Sequence, residues 1–273
     1  MDKLIITAAL VGAETTREDN PNLPLSPEEL AEAAYDCWQE GASIIHLHVR
    51  DAQGQPTQDI DTFAEAIRLI NERCDAIVQI STGGAVGLPW EERAQPLSLK
   101  PEMATLTTGT VNFGRDVFYN SSEYIEGIAK AIQENGVKPE IEIFDVGMID
   151  NALRLVRRGL LTPPLHFDFV MGVPGGIGGT VKNLLHLVES IPPGSSWSVA
   201  GIGRAELPLA TVAIIMGGHV RVGFEDNVYY SRGVKAESNA QLVARIARLA
   251  KELGREVATP NEARQLLGMA VKE

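Results

Sequence analysis

Two histidines in one short apolar run are well suited to bind a metal ion. Residues 43–50 read SIIHLHVR. Successive side chains of a β-strand point to opposite faces, so His46 and His48 project from one face and the apolar residues around them from the other. Two imidazoles about two residue rises apart can bind one metal ion. A buried strand with two incidental histidines is the alternative that this stretch leaves open.

Charged residues near the last predicted strand could complete such a site. Arg221, Glu225 and Asp226 lie within HVRVGFEDN (219–227). Two histidines and one carboxylate leave coordination positions open, which is typical of catalytic rather than structural zinc. A buried Arg221 would keep Asp226 ionised and orient it as a base. The alternatives are a solvated acidic loop and a surface ion pair of little energetic consequence.

These residues need a fold that brings the second and last strands together. Eight strands are predicted, each followed by a polar or glycine-containing loop: Lys3–Leu10, Ser43–Arg50, Ala76–Ile80, Met103–Leu106, Glu140–Phe144, His166–Met171, Ser198–Ala200 and Val220–Val222. Alternation with helices predicts one (β/α)8 TIM barrel spanning residues 1–273 as a single domain. In a closed barrel, strands one, two and eight are neighbours. An open doubly wound sheet is disfavoured, because no GxGxxG follows the first strand.

Helical periodicity and capping residues predict the intervening helices. Ser26, Pro27 and Glu29 predict a capping box and a proline at the first helical position, for a helix that ends near Glu40. The other predicted helices are Ile60–Arg73, Tyr124–Glu134, Ile149–Arg158, Val181–Ser190, Leu207–Met216, Asn239–Leu253 and a segment capped at Thr259.

Further polar residues fall at or near strand ends, where barrel enzymes place their active sites. They are Glu14, Ser81, Thr105, Thr107 and Glu142. The loop 172–179, GVPGGIGG, could present backbone amides to an anion, although glycines also permit tight turns.

The amino-acid composition disfavours some classes of binding partner. The chain has 24 Lys and Arg against 36 Asp and Glu, a formal net charge of −12. Such a surface argues against nucleic acid or an anionic membrane as the main partner. Cys37 and Cys74 suggest neither a disulfide framework nor a CxxC metal site. We expect a cytoplasmic protein, because we find neither a signal-peptide pattern nor an apolar run of about 18 residues.

With these motifs in view, the chain resembles the β-keto acid cleavage enzymes. The resemblance covers nearly the whole chain. It rests on AALVGAETTRED (8–19), IIHLHVRD (44–51), QISTGGAVG (79–87), KPEMATL (100–106), GVPGG (172–176), VAGIGR (199–204), GGHVRVGFEDN (217–227) and AESNAQLVAR (236–245). The combination of HLH with GFEDN is specific, whereas HxH alone is weak.

The resemblance implies a zinc-containing barrel that assembles as a homotetramer. It implies conversion of a β-keto acid and acetyl-CoA into acetoacetate and a new acyl-CoA, as in lysine fermentation. Zinc would be bound by His46, His48 and Glu225, and Asp226 would be the base that Arg221 orients.

The resemblance also assigns the substrate site. Ser81, Gly84 and Thr105 would line the carboxylate site, and Glu142 would lie beside the reacting atoms. Glu14 would face a cationic end group, as in 3-keto-5-aminohexanoate or dehydrocarnitine. Two positions depart from the aminohexanoate pattern: Thr107 replaces an expected Asn, and Asp145 an expected Glu.

Three other classes are compatible with a metal-binding barrel. An amidohydrolase-type enzyme carries HxH on its first strand and needs further ligands, which this sequence does not place. A metal-dependent aldolase or lyase would cleave without acetyl-CoA. A non-catalytic metal-binding protein fits poorly with incomplete coordination beside Asp226.

Overall fold

Eight parallel strands close into a barrel in the computed structural model, which describes residues 2–272. The predicted (β/α)8 fold is therefore confirmed. We number the barrel strands β1 (Ile6–Ala9), β2 (Ile44–Leu47), β3 (Ile77–Ile80), β4 (Met103–Thr107), β5 (Lys138–Ile143), β6 (His166–Met171), β7 (Ser196–Gly201) and β8 (His219–Val222). Strand β1 pairs with β8 on one side and with β2 on the other.

Helices surround the strands, and all but the short α3 lie at or near the predicted positions. They are α1 (Pro27–Gln39), α2 (Ile60–Arg73), α3 (Trp90–Ala94), α4 (Ser122–Glu134), α5 (Gly147–Arg157), α6 (Val181–Ser190), α7 (Glu206–Met216), α8 (Asn239–Glu252) and α9 (Pro260–Leu266). The capping box of α1 is formed as predicted, with the Ser26 hydroxyl accepting from the Glu29 amide at 3.2 Å. None of the helices in residues 2–272 has the length and apolar character needed to cross a membrane.

The predicted strand 43–50 is divided in the structure. Strand β2 ends at Leu47, and Val49–Arg50 instead pairs antiparallel with Pro56–Thr57. The Arg50 guanidinium donates to the carbonyl oxygens of Gly12 at 2.7 Å and Thr15 at 2.8 Å. These bonds tie the segment to the loop after β1, so the chain leaves the barrel wall just beyond His48.

Two hairpins beyond the strand ends were not predicted. One pairs Val111–Phe113 with Asp116–Phe118 after β4, and the other pairs Tyr229–Ser231 with Val234–Lys235 after β8. Each strand has only two or three residues, too few for alternation to show in the sequence.

The inside of the barrel changes from apolar to polar along its axis. Near the amino ends of the strands, Ile5, Ile44, Ile77 and Met103 pack against Ala263 of α9 and Leu267 at its end, and close the barrel floor. Above this floor lie buried polar side chains: His46, Gln79, Glu140, Glu142, Asp168, Ser198 and Arg221. Burying so many polar groups is costly unless they are paired, so this layer is the place to look for chemistry.

Candidate active site

The two strand histidines and one loop carboxylate converge at the carboxyl end of the barrel. His46 Nε2 lies 3.5 Å and His48 Nε2 lies 3.6 Å from Glu225 Oε1. One potential ligand atom from each of the three residues falls within 4.8 Å of the other two. Glu225 follows β8, which is separated from β2 only by β1. Closure of the barrel therefore brings together residues about 180 positions apart in the sequence.

The donor atoms suit a divalent metal. His46 Nδ1 lies 2.7 Å from the Gln79 side-chain oxygen, and an imidazole that donates through Nδ1 keeps the Nε2 lone pair available. His46 Nε2 and Glu225 Oε2 are buried and lack hydrogen-bond partners within residues 2–272. Burial lowers the pKa of His48 to about 4, which favours the neutral, ligating form of the imidazole. Two imidazoles and a carboxylate fit zinc with an open position.

A glycine allows the loop after β8 to reach the histidines. Gly223 has φ +149°, and a Cβ at this position would lie 2.1 Å from the Ala9 carbonyl oxygen. This close approach lets the Glu225 amide donate to the same oxygen at 3.2 Å. Only glycine accommodates both the backbone angle and the contact.

Arg221 binds the predicted base through two hydrogen bonds. Its Nε and Nη2 donate to the two carboxylate oxygens of Asp226, each at 2.9 Å, and Nη2 also donates to Glu225 Oε1 at 2.5 Å. Burial raises the pKa of Asp226, and the attraction of Arg221 offsets only part of that rise. Burial also opposes ionisation of Glu225, but Arg221 and the two histidines outweigh it and hold its pKa well below the usual range. The two neighbouring carboxylates are therefore suited to different roles, Asp226 to accepting a proton and Glu225 to ligation.

The other side of the Arg221 guanidinium faces two more acids. Its Nη1 lies 3.5 Å from Glu142 Oε1 and 3.8 Å from Asp168 Oδ2. Glu142 Oε2 accepts from the Thr107 hydroxyl at 2.6 Å, so Thr107 acts on the site through Glu142. Burial raises the pKa of Glu142. Burial likewise raises the pKa of Asp168 well above its ordinary value.

A cavity of about 460 Å³ opens onto this cluster from the carboxyl end of the barrel. Eight of the predicted site residues line it, from β5, β8 and the loops after β1, β2, β3 and β8. They are Glu14, His48, Ser81, Gly84, Glu142, Arg221, Glu225 and Asp226. The volume is that of a small-molecule site.

Nearly the whole chain matches one protein family. Residues 3–269 match the model of the family described as beta-keto acid cleavage enzyme. This chain belongs to the β-keto acid cleavage enzyme family. It is therefore an enzyme of the acyltransferase type that cleaves β-keto acids.

Curated relatives span almost the entire chain. A 3-keto-5-aminohexanoate cleavage enzyme of Fusobacterium nucleatum is 55% identical over 271 residues, covering 98% of this chain and 99% of the relative. Another, from Acetoanaerobium sticklandii, is 55% identical over 272 residues and covers 99% and 100% of the two chains. A 3-oxoadipate:acetyl-CoA acetyltransferase of Cupriavidus necator is 38% identical over 98% of this chain and 96% of its own.

A solved structure supports the fold. The apo structure of ObcA superposes with a TM-score of 0.77 at 21% identity. The match covers 92% of this chain and 66% of the longer ObcA chain.

Thr105 was predicted to line the substrate carboxylate site. Among the residues that the structure describes, it does not line the cavity of this β-keto acid cleavage enzyme. Its hydroxyl accepts from the Thr82 amide at 3.2 Å, and its carbonyl accepts from the Thr82 hydroxyl at 2.8 Å. Thr105 thus supports the loop that presents Ser81.

Several lining residues of this family member were not anticipated from the sequence. Part of the cavity wall is apolar and is formed by Phe113, Phe118, Phe144, Val170, Val173 and Ile202. Two of the phenylalanines come from the 111–118 hairpin, whose short strands gave no signal. Asp168, which faces Arg221 without lining the cavity, was also not predicted, although a lone acid among the apolar residues of HFDFVM is a signal that could have marked it.

A buried ion pair fixes the position of the loop after β8 in this enzyme. Glu206 Oε1 accepts from Asn227 Nδ2 at 3.0 Å and from Arg245 Nη2 at 3.1 Å. The Asp226 carbonyl oxygen accepts from the Gly203 amide at 2.8 Å. These contacts join the loop to α7 and α8, and they were not predicted because the three residues are distant in the sequence.

Proposed function

We propose that this family member is a zinc-dependent enzyme that converts a β-keto acid and acetyl-CoA into acetoacetate and a new acyl-CoA. The observation that carries this proposal is the convergence of His46, His48 and Glu225 beside the Arg221–Asp226 pair, at the inner end of the cavity. The names of curated relatives, which include acetyl-CoA transferases, support acetyl-CoA as the co-substrate.

We assign the zinc ligands to His46, His48 and Glu225. When bound, zinc would supply Lewis-acid stabilisation of negative charge on the substrate's keto oxygen. Two of these three residues, His48 and Glu225, line the same cavity as Asp226.

Asp226 is the general base in this proposal. It removes a proton from the carbon between the keto and carboxylate groups, while Arg221 keeps its carboxylate aimed at the cavity. The carbanion formed attacks the acetyl carbonyl of acetyl-CoA and expels the CoA thiolate. The thiolate then adds to the former keto carbon, and cleavage of the adjacent C–C bond releases the new acyl-CoA. The departing acetoacetate carbanion takes the proton back from Asp226, so atoms and charges balance.

The remaining lining residues hold the substrate. Ser81 and Gly84 form a polar edge for the substrate carboxylate, with Thr105 supporting this loop from beneath. Glu142, whose pKa burial raises, lies beside Arg221 near the reacting atoms. No residue among these needs to form a covalent intermediate.

Glu14 gives the cavity a negative charge at its mouth, which favours a substrate with a cationic end. We therefore propose 3-keto-5-aminohexanoate as the substrate, supported by the two 55% identical relatives. Dehydrocarnitine, with its trimethylammonium group, has the same charge pattern and is the substrate to compare. A homotetramer, a cytoplasmic location and a role in lysine fermentation complete the proposal by resemblance.

A panel of β-keto acids with cationic, neutral and anionic ends tests the function. We expect about one zinc per chain by elemental analysis, and acetoacetate formation only when acetyl-CoA is present. Cleavage at the same rate without acetyl-CoA would identify a lyase instead.

The Glu14→Gln variant should lose the preference for cationic substrates. Removing the carboxylate should lower kcat/KM for 3-keto-5-aminohexanoate roughly tenfold and leave a neutral substrate of similar size nearly unchanged, because one partly solvated ion pair is lost. Glu18→Gln is the matched control, since Glu18 is exposed in the same loop and does not line the cavity. A cationic preference that persists in Glu14→Gln would exclude Glu14 as its source.

A further inference from the structure

Exposed acidic and basic side chains are unevenly distributed around the mouth of the cavity. The loop after β1 carries Glu14, Glu18 and Asp19, all exposed. Three exposed cations follow β4, β6 and β7: Arg115 in the 111–118 hairpin, next to the exposed Asp116, Lys182 in the first turn of α6, and Arg204 in the turn before α7. We call these three residues the basic rim. Such a local positive region in a chain with net charge −12 is suited to attract an anionic ligand.

The loops after β4, β6 and β7 pack against each other. The Gly114 amide donates to the Pro174 carbonyl at 3.1 Å, and a Cβ on Gly175 would lie 2.1 Å from the Asn112 carbonyl oxygen. On the other side, a Cβ on Gly179 would lie 2.6 Å from the Ala205 Cβ. The segment 172–180 therefore lies between the 111–118 hairpin and the turn that carries Arg204, with glycine required at both contacts.

The three side chains of the basic rim have no partner within the described part of the chain. Within the described part of the chain, none of the three side chains forms an ion pair or donates a hydrogen bond. By contrast, Arg17 pairs with Glu29 and Arg221 binds two acids. The amides of Gly175, Gly178 and Gly179 likewise donate to no acceptor among residues 2–272. Unpaired cations next to free backbone amides form an arrangement that binds phosphate.

An apolar passage joins the basic rim to the catalytic cluster. Phe113, Val173, Pro174 and Ile202 line the same cavity as Asp226. Ile202 comes two residues before Arg204, and Arg115 itself lines the cavity. A ligand with phosphates at one end and a long, uncharged arm could place its phosphates on the rim and the end of its arm near Asp226.

We propose that the basic rim binds the phosphate groups of the acyl-CoA co-substrate. This inference rests on the proposed function, which supplies the co-substrate. Arg204 and Arg115 bind phosphate oxygens through their guanidinium groups, and Lys182 contributes a further positive charge. The pantetheine arm follows the apolar passage to the reacting atoms.

Truncated thioesters separate this role from a general effect on catalysis. In Arg204→Ala we expect KM for acetyl-CoA to rise about tenfold with little change in kcat, and more in the Arg204→Ala/Arg115→Ala double variant. KM for acetyl-pantetheine, which lacks the nucleotide and its phosphates, should not change. Acetyl-dephospho-CoA shows whether the 3′-phosphate or the diphosphate is bound. Arg157→Ala is the matched control, because Arg157 is exposed and unpaired within residues 2–272 but lies at the far end of α5.

An unchanged KM for acetyl-CoA in the double variant would overturn the proposal, as would an equal rise for both thioesters. Calorimetric titration with CoA alone tests whether the basic rim binds CoA, independently of whether the enzyme catalyses the proposed reaction. Weaker CoA binding in Arg204→Ala, together with no acetoacetate formation by the wild-type enzyme, would retain the rim and reject the reaction. Equal CoA binding by wild type and variant would reject the rim whatever the enzyme catalyses.

Discussion

The Asp226→Asn variant should keep its zinc and lose nearly all turnover. We expect kcat to fall about a thousandfold or more, because a positioned general base contributes roughly two to four orders of magnitude and an amide cannot accept the proton. The two 2.9 Å bonds from Arg221 hold the carboxylate in the cavity, so the loss is chemical rather than a loss of substrate access. Acetoacetate formation and zinc content, measured on the same sample, check this result.

Asp168→Asn is the matched control for this substitution. Asp168 is also fully buried and faces the Arg221 guanidinium at 3.8 Å, but it does not line the cavity as residues 2–272 define it. Because burial raises its pKa well above the ordinary value, an amide resembles the protonated form of this acid. We expect a much smaller loss of kcat. If Asp226→Asn stays active, Asp226 is not the base.

The Glu225→Gln variant should bind zinc far more weakly. The substitution replaces an anionic ligand by a neutral amide and leaves two imidazoles, so we expect zinc affinity to fall about a hundredfold or more, with activity falling in parallel. Zinc per chain after dialysis against a chelator measures the effect. In wild type, the chelator should also lower Tm, because a metal that binds only the folded state stabilises it.

The contrast between the two neighbouring acids makes this experiment specific. Asp226→Asn should keep zinc through the same dialysis, whereas Glu225→Gln should lose it and show no change of Tm with chelator. Arg221 donates to both acids, so a general collapse of the loop would affect both variants alike. Wild-type zinc affinity in Glu225→Gln would show that the ligand set is wrong.

Local patterns in the sequence predicted most of the secondary structure. Helices α2 and α6 begin and end at the predicted residues, and the capping box at Ser26 is formed. Strand bounds differ by a few residues, as at β5, where pairing with β4 extends the strand to Lys138. These features depend on side-chain periodicity and on hydrogen bonds between residues close in sequence, so the sequence displays them directly.

Contacts between distant segments could not be predicted in the same way. The division of the His strand depends on bonds from Arg50 to the loop after β1. The position of Thr105 depends on the conformation of the loop that begins at Ser81. Glu206 on α7 pairs with Arg245 on α8, which lies 39 residues further along the chain. No local pattern encodes such pairs, since each joins segments that are close only in the folded barrel.

The sequence alone therefore determined the strand–helix rhythm, the shared face of His46 and His48, and the family to which the chain is similar. Only the tertiary structure decided which distant groups meet them. Barrel closure places Glu225 within 3.6 Å of both imidazoles. The physical reason is that side-chain direction follows from alternation along one strand, whereas the meeting of β2 with the loop after β8 requires β1 to pair with both.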